Sequence, residues 1–420
     1  MTVKYPTKSV CVVDFGLFLE LAQTMTRYFG KVFYHFPWQA SAFPRSNSKM
    51  VGKGMPGITL AERLWDIVPE VDCFIFPDVF LGDIQSALVA QGKLVFGSRR
   101  GDELELYRAE SKKHFRSIGA AVGPFEVIVG LPALRTFLKQ HKDQYVKCSV
   151  NRGDFETFHS PDYRFAEPKI DALEHSLGMK KYIQEFIVET GIPDAVEIGY
   201  DGFCIDGQYP AQSLVGIEIK SKGYVGQMKA YDSLPKQVTG FNQKIAPTLK
   251  KYQYRNFMST EIRINKDKKA YILDPCMRCG NPPAATAYEF YDNLGEIIWE
   301  GAQGRVVKPT SKFKWAAQIQ LSSDWSDTNW LNVQFPEKIR NNVKLINGMR
   351  FKDEYYIVPQ DYKITSIGAV VAGGQTMQEA IGKCKSLAEQ VKGFYVECNP
   401  EALDEAEAEW QKLKAFGVDI

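Results

Sequence analysis

Three short apolar runs constrain the fold of this chain more than any other feature: "SVCVVD" (9–14), "DCFIFPD" (72–78) and "LVFGS" (94–98). Each is too short for a helix and is rich in β-branched or aromatic residues. They read as near-continuous apolar runs, the pattern of a strand buried on both faces. Between them come stretches with helical spacing. Leu60, Leu64 and Ile67 recur in "GITLAERLWDIV" (57–68), and "DIQSALVAQGK" stops at Gly92. Strand, helix, strand, helix, strand predicts a parallel sheet with helices on its faces, an α/β domain over residues 1–103.

Beyond it the pattern changes. The sequence predicts a helix over 103–119, then strands at "GPFEVIVG", "QYVKCSV", "YIQEFIVE" (182–189) and "VEIGYDGFCID" (196–206), with "LPALRTFLKQHK" as a short helix. This irregular alternation suits an α+β arrangement over 104–303. The polar stretch 149–171 reads as a long loop, and "KGYVGQMKAYDSLP" (222–235) as a glycine-spaced loop. In the last third, Thr376 and Glu379 form a capping box ahead of "MQEAIGKCKSLAEQV", and Asn399-Pro400 opens a final helix that stops at Gly417. Residues 304–420 are expected to form a separate α+β domain.

The hairpin "STEIRINKDKKAYILDP" carries the first candidate chemistry. A turn centred on Asp267-Lys268 sets Glu261 opposite Asp274. Directly opposed residues share a face, with Cβ atoms about 4.5–5.5 Å apart. Two carboxylates so placed repel unless a cation lies between them, and Mg²⁺ is the hard ion that takes one or two carboxylates and completes its shell with phosphate oxygens. The alternative is a pair of exposed strand-end charges in another register. Lys147, ending the apolar run "YVK", and Lys112, on a helix-like run, are candidate phosphate contacts; either alone also reads as a surface lysine.

Cys276-x-x-Cys279 competes for the same stretch. Structural zinc needs four ligands, and neither a second CxxC nor a histidine lies near in sequence. A redox dithiol should open a helix, whereas Gly280, Pro282 and Pro283 follow this pair. The eight cysteines are scattered, several inside apolar runs, which suits reduced thiols in the cytoplasm. A net charge of +2 gives no footprint for nucleic-acid binding. There is no secretory-leader pattern and no apolar run of membrane-spanning length.

In order along the chain, "FPDVFLGD", "VFGSRRGDELELYRAESKKHF", "YVKCSV", "QEFI" (184–187), "GQMKAYDSLP", "DPCMRCGNPP" and "GAVVAGGQTMQEAIGKCKSL" together resemble the ATP-grasp enzymes, and within them phosphoribosylamine–glycine ligase. The resemblance spans most of the chain. It implies an N-terminal Rossmann-like pre-ATP-grasp domain (1–103), an ATP-grasp domain whose two lobes clamp ATP (104–303) and a C-terminal α+β domain (304–420). It implies an ADP-forming ligase that joins a small carboxylate, such as glycine or another amino acid, to an amine through an acylphosphate, using ATP with Mg²⁺ or Mn²⁺. Carried over by position, Lys112 and Lys147 contact ATP phosphates, and Glu185, Phe186 and Ile187 hold adenine. Glu197 takes the ribose, Glu261 and Asp274 take the metal, and Arg278 faces the reacting carboxylate. Two departures stand out. Cys276 sits where the family has a metal-binding asparagine, leaving Asn281 or water to fill the gap, and Asp274 replaces a glutamate. The first strand runs into "DFGLFLELAQ", with Gly16 alone in place of a glycine-rich phosphate loop, so a different amine is expected. A nucleotide-binding protein without ligase activity is the alternative.

Overall fold

The apolar runs of the N-terminal region form a five-stranded parallel sheet in the order β3-β2-β1-β4-β5, from β1 (Tyr5–Val13), β2 (Phe29–His35), β3 (Ile58–Leu60), β4 (Cys73–Ile75) and β5 (Leu94–Phe96). Helices α1 (Leu19–Met25), α2 (Leu64–Ile67) and α3 (Gly82–Ala90) connect its strands. The computed structural model describes residues 3–37, 46–150, 157–360, 365–418 and 420. The helix expected over 57–68 is instead a strand and a single turn. Gly57 takes φ +75°, Arg63 is extended, and Ile58 and Leu60 pair with Val32 and Tyr34 of β2. An open sheet edge thus outweighs a weak helical spacing. The helix expected over 103–119 is broken at Tyr107 into α4 (Glu103–Leu106) and α5 (Arg108–Ser117).

A second, antiparallel sheet of four strands, in the order β6-β9-β7-β8, is made of β6 (Phe125–Val129), β7 (Gln144–Cys148), β8 (Thr157–Ser160) and β9 (Glu185–Thr190). Helices α6 (Leu131–Gln140) and α7 (Tyr163–Leu177) cover one face, where Leu134, Leu138, Val146, Cys148, Ile170, Phe186 and Val188 make a separate small core. Most of the stretch expected as a loop over 149–171 is therefore structured. Asp162 caps α7 by accepting from the Arg164 N–H, and Pro168 is accommodated inside the helix. Residues 151–156 of that stretch lie outside the described residues.

The third sheet has nine strands. Its path is β14-β13-β10-β11-β12-β15-β20-β17, with β22 alongside β15. It comprises β10 (Ala195–Ile205), β11 (Gln212–Ile219), β12 (Gly223–Ala230), β13 (Arg255–Asn265), β14 (Ala270–Cys276), β15 (Trp315–Ser322), β17 (Val343–Leu345), β20 (Ser366–Gly374) and β22 (Glu397–Cys398). The glycine-spaced segment expected as a loop is strand β12. Its glycines serve packing: a Cβ on Gly226, or on Gly216 across the pair, would lie 2.5 or 2.3 Å from the Tyr224 side chain. Because β12 pairs with β15 from Gly223↔Ile319 to Gln227↔Trp315, no sheet boundary falls at residue 304. A further small sheet holds β16 (Leu331–Gln334), β18 (Gly348–Phe351), β19 (Glu354–Ile357) and β21 (Lys392–Gly393). Thr376 caps α8 (Met377–Ala388) through the Glu379 N–H, and Asn399 accepts from the Ala402 N–H at the start of α9 (Ala402–Ala415). Among the described residues, no helix is long and apolar enough to cross a membrane.

Candidate active site

A cleft of about 1850 Å³ opens between the uncovered face of the four-stranded sheet, strands β13 and β14, and the carboxyl ends of β1 and β4. Strand alternation aims its charges. Val146 and Cys148 face the small core, so Lys147 between them faces the cleft. On β9, Glu189 lies one pair further along on the same face. The Lys147 ammonium sits 2.7 Å from Glu189 Oε2 and hydrogen-bonds the Asp274 carboxylate. Lys112, from α5 and only 1% exposed, approaches from below. Its Nζ is 2.6 Å from Glu189 Oε1, 2.8 Å from the Leu273 carbonyl and 4.0 Å from Asp274. Glu189 thus ties both ammonium groups together. Burial opposes the charge on Lys147, but Asp274, then Glu189 and Glu261, outweigh it and raise its pKa.

Glu261 and Asp274 are direct cross-strand partners, and a bulge makes them so. From Ile264↔Ala270 to Ile262↔Ile272 the register is that of a turn centred one half-step earlier than expected, which would set Glu261 against Leu273. A bulge at Leu273 shifts the register and restores Asp274 to the opposing position. The same displacement aims the Leu273 carbonyl at Lys112. The two acids then differ in environment. Burial raises the Asp274 carboxyl, but Lys147, Lys112 and Arg108 overcome this and hold it well below the usual range. Glu261 is pushed up to about 7, by burial first; Lys220 opposes this, and Glu197 and Asp274 add to it. Glu218 on β11 is likewise raised by burial and by Glu261. Glu197, 3.4 Å from the Arg263 guanidinium, completes a carboxylate-rich wall.

These donors fit a hard divalent cation. Among the described residues, no three His, Cys, Asp or Glu side chains are grouped to hold a metal by themselves. Two adjacent carboxylates with room for phosphate oxygens are what Mg²⁺ ordinarily takes from a protein. Cys276, two residues along from Asp274, lies opposite Ser259, and its thiol points to the Arg278 carbonyl at 3.9 Å. Burial raises this thiol well above its ordinary value, and a neutral sulfur is a poor partner for a hard ion. Cys279 is buried, its thiol also raised by burial. Arg278 lines the cleft with its Nε 2.8 Å from Glu105 and 3.7 Å from Asp78. The second Glu105 oxygen accepts the Met277 N–H at 2.7 Å, which fixes the backbone at this point.

None of the expected adenine residues is among those lining the cleft, although Ile187 pairs with Lys147 and shares its face. Glu185, Phe186 and Ile187 sit in the early part of β9: Phe186 packs in the small core, Ile187 has no exposed surface, and the Glu185 carboxylate accepts the Ser149 hydroxyl at 2.8 Å. The link between β9 and β10 lines the cleft instead, with Thr190, Gly191, Ile192 and Ala195 leading to Glu197. The segment "QEFI" enters β9, with Gln184 just ahead of the strand and Glu185 its first residue. Sequence reasoning also missed Glu189, Glu218 and Glu105, which no local motif marks. Glu189 was nonetheless findable by alternation from Ile187 along the same strand.

No protein-family model and no curated protein matches the chain. Solved structures do, and they define the class: the fold is that of the ATP-grasp proteins. Phosphoribosylamine–glycine ligase from Thermotoga maritima aligns with a TM-score of 0.68 at 16% identity, covering 92% of this chain and 98% of that one. The biotin carboxylase domain of Hydrogenobacter thermophilus 2-oxoglutarate carboxylase, solved with MgADP, ADP and bicarbonate, gives 0.65 at 11% identity over 98% of both chains. N5-carboxyaminoimidazole synthetase from Staphylococcus aureus, complexed with ADP, gives 0.59 at 12% identity, covering 91% of this chain and 97% of that one.

Proposed function

We propose that the protein is a cytoplasmic, ATP-dependent carboxylate–amine ligase, related in architecture to phosphoribosylamine–glycine ligase but acting on a different amine. One observation carries this reading: Lys147 from the four-stranded sheet converges with Glu261 and Asp274 of β13 and β14, beside Lys112 of α5. Lys147 bridges to Asp274 and is placed to turn to a phosphate. Glu261 and Asp274 would hold Mg²⁺, which when bound neutralises phosphate charge and draws electron density from the γ-phosphorus. The lysines hold the triphosphate, the Thr190–Ile192 link receives the adenine, Glu197 the ribose, and Arg278 the carboxylate substrate. A carboxylate oxygen attacks the γ-phosphorus, the bond to the β-γ bridging oxygen breaks, and ADP leaves. The amine nitrogen then adds to the acyl carbon, the carbon–oxygen bond to phosphate breaks, and the nitrogen sheds its proton to solvent. Positioning and charge neutralisation supply most of the rate in such transfers.

ADP and phosphate release, measured with Mg-ATP over amino acids crossed with amines, tests this. Release that requires one acid and one amine, and is lost in Asp274→Asn, supports a ligase. Mg-ATP binding without turnover on any pair supports the nucleotide-binding alternative, which Cys276 in the metal region favours. Absence of nucleotide binding overturns both.

A further inference from the structure

We infer that the protein carries a second ligand site, outside the cleft, for a small phosphate monoester with a flat ring. A groove of about 620 Å³ lies between the helix Ala284–Phe290, the turn Glu337–Asn342, the end of β20 and α8. Among the described residues, none lines both groove and cleft. The volume is that of an ordinary small-molecule site, about 300–1,000 Å³. The rim is basic: Lys312, Lys338 and Lys383 line it, against one carboxylate, Glu289.

Glu289 is already matched. Arg27 of α1 stands 3.0 Å from it and Lys344 of β17 3.2 Å. Burial raises its carboxyl, but Lys344 and then Arg27 outweigh this and hold it below its ordinary range, so it stays charged and committed to them. Lys383 reaches Glu379, one turn back on α8. Lys312 and Lys338 meet no carboxylate at ion-pair distance among the described residues. The Asn341 Oδ1 accepts from Arg27 at 3.0 Å, which leaves its amide N–H groups to donate. Two uncommitted ammonium groups and an amide donor suit a phosphate monoester, which carries close to two negative charges at neutral pH. The floor is aromatic and open. The rings of Phe290 and Phe313 lie 6.3 Å apart, and a Cβ on Gly373 would lie 2.3 Å from Phe313, so that glycine seats the ring against β20. Gly382 differs. It stands in the middle of α8, where glycine costs helix stability, yet a Cβ there would meet nothing within 4 Å. Packing does not require this glycine; its missing side chain keeps the groove open. A flat ring fits over the two phenyl groups, with its phosphate at the lysine rim.

Calorimetric titration of the chain with 4-nitrophenyl phosphate provides the test, with inorganic phosphate and 4-nitrobenzyl alcohol standing for its two halves. The ester should bind at least about tenfold more tightly than either half, since the ring and the charge are both used. Lys338→Glu should weaken the ester about tenfold or more, the loss of a hydrogen bond to a charged group. Gly382→Leu fills the groove and should lower ester binding beyond detection. Both positions are exposed, and the leucine adds helix propensity, so neither variant should melt much below the wild type. Ester binding that both variants leave unchanged sits elsewhere on the protein and overturns the inference. An affinity for inorganic phosphate or for the alcohol equal to that for the ester overturns it too, because one half of the groove would then be idle. Absence of ester binding at millimolar concentration overturns it outright.

Discussion

The two ends of the cleft are built from the same materials and behave in opposite ways. At the nucleotide end, Lys112 and Lys147 face Glu189, Glu261 and Asp274; at the β1/β4 pole, Arg278 faces Asp14, Asp78 and Glu105. Both are buried, and both set bases against carboxylates at ion-pair distance. The nucleotide end draws its groups from two sheets, Lys147 and Glu189 from the four-stranded one and Glu261 and Asp274 from the nine-stranded one, with Lys112 of α5 tied to the Leu273 carbonyl of β14. The pole draws most of its groups from turns fixed by backbone hydrogen bonds, the Met277 N–H to Glu105 and the Gly16 and Phe18 N–H groups to Asp14. The first arrangement suits exchange of a charged ligand. The second suits selection among ligands.

The largest effect should come from the nucleotide end. Asp274→Asn is expected to lower ligase turnover by at least about a hundredfold, since a charge that faces the transferring phosphate is worth that much in a dry site. A near-normal rate in ADP-release assays would mean that the two ends have been assigned the wrong way round. Next come Lys147→Ala and Arg278→Ala. Each strands buried carboxylates, and each should destabilise the fold by about 3 kcal/mol or more in chemical denaturation. Mg-ATP should restore much of the loss in Lys147→Ala, because the ligand brings cations to Glu261 and Asp274, and little of it in Arg278→Ala. Equal recovery of both variants would erase the distinction drawn between the ends.

The two ends were unequally legible. Glu261 and Asp274 could be paired from the alternation of one hairpin, although the pairing rests on a bulge at Leu273 that compensates a half-step error in the turn. Lys147 could be aimed because its neighbours are apolar. The adenine hinge was read from "QEFI" by resemblance alone, and no spacing rule says which residues of β9, or of the link after it, meet a nucleotide. The segments 57–68 and 222–235 misled for a shared reason. Their local patterns, a weak helical spacing and a run of glycines, yielded to pairing with distant strands and to room for Tyr224. Asp14 was visible as a residue, but its capture of the Gly16 and Phe18 N–H groups is a tertiary fact that spacing does not encode.

Titration gives a finer comparison. Glu261 is pushed up to about 7 from the ordinary 4.5, so the folded chain keeps a proton that the unfolded chain has lost between those values. Its stabilising contribution is fully present below the ordinary value and is lost as pH rises through about 7. Other raised acids, Asp14 and Asp201 among them, slope the same way, so the group is isolated by difference. Without Mg-ATP, the melting temperature of wild type should fall, relative to Glu261→Gln, as pH rises from about 5 to about 8. Mg²⁺ needs the ionised carboxylate, so Mg-ATP should bind more tightly over the same rise and level off above about 7. Parallel melting curves for the two proteins would place the proton elsewhere in the carboxylate-rich wall.

The smallest expected effect concerns the residue at which the two ends meet. Cys276 lies two residues from Asp274 on one side and two from Arg278 on the other, and its thiol leans toward the Arg278 carbonyl. Burial keeps it neutral, so it offers a hard cation nothing that water would not. Cys276→Asn places an amide oxygen on the same face of β14 as Asp274 and should lower the Mg²⁺ concentration for half-maximal turnover a few-fold, with Cys276→Ser intermediate. The substitution should leave the choice of amine unchanged, since the β1/β4 end is held by other residues. A gain in metal affinity accompanied by a change in amine preference would show that the ends are coupled through this strand. In that case the selectivity of the pole depends on the strand that carries Asp274, and the separation between an exchanging end and a selecting end holds only when the metal is absent.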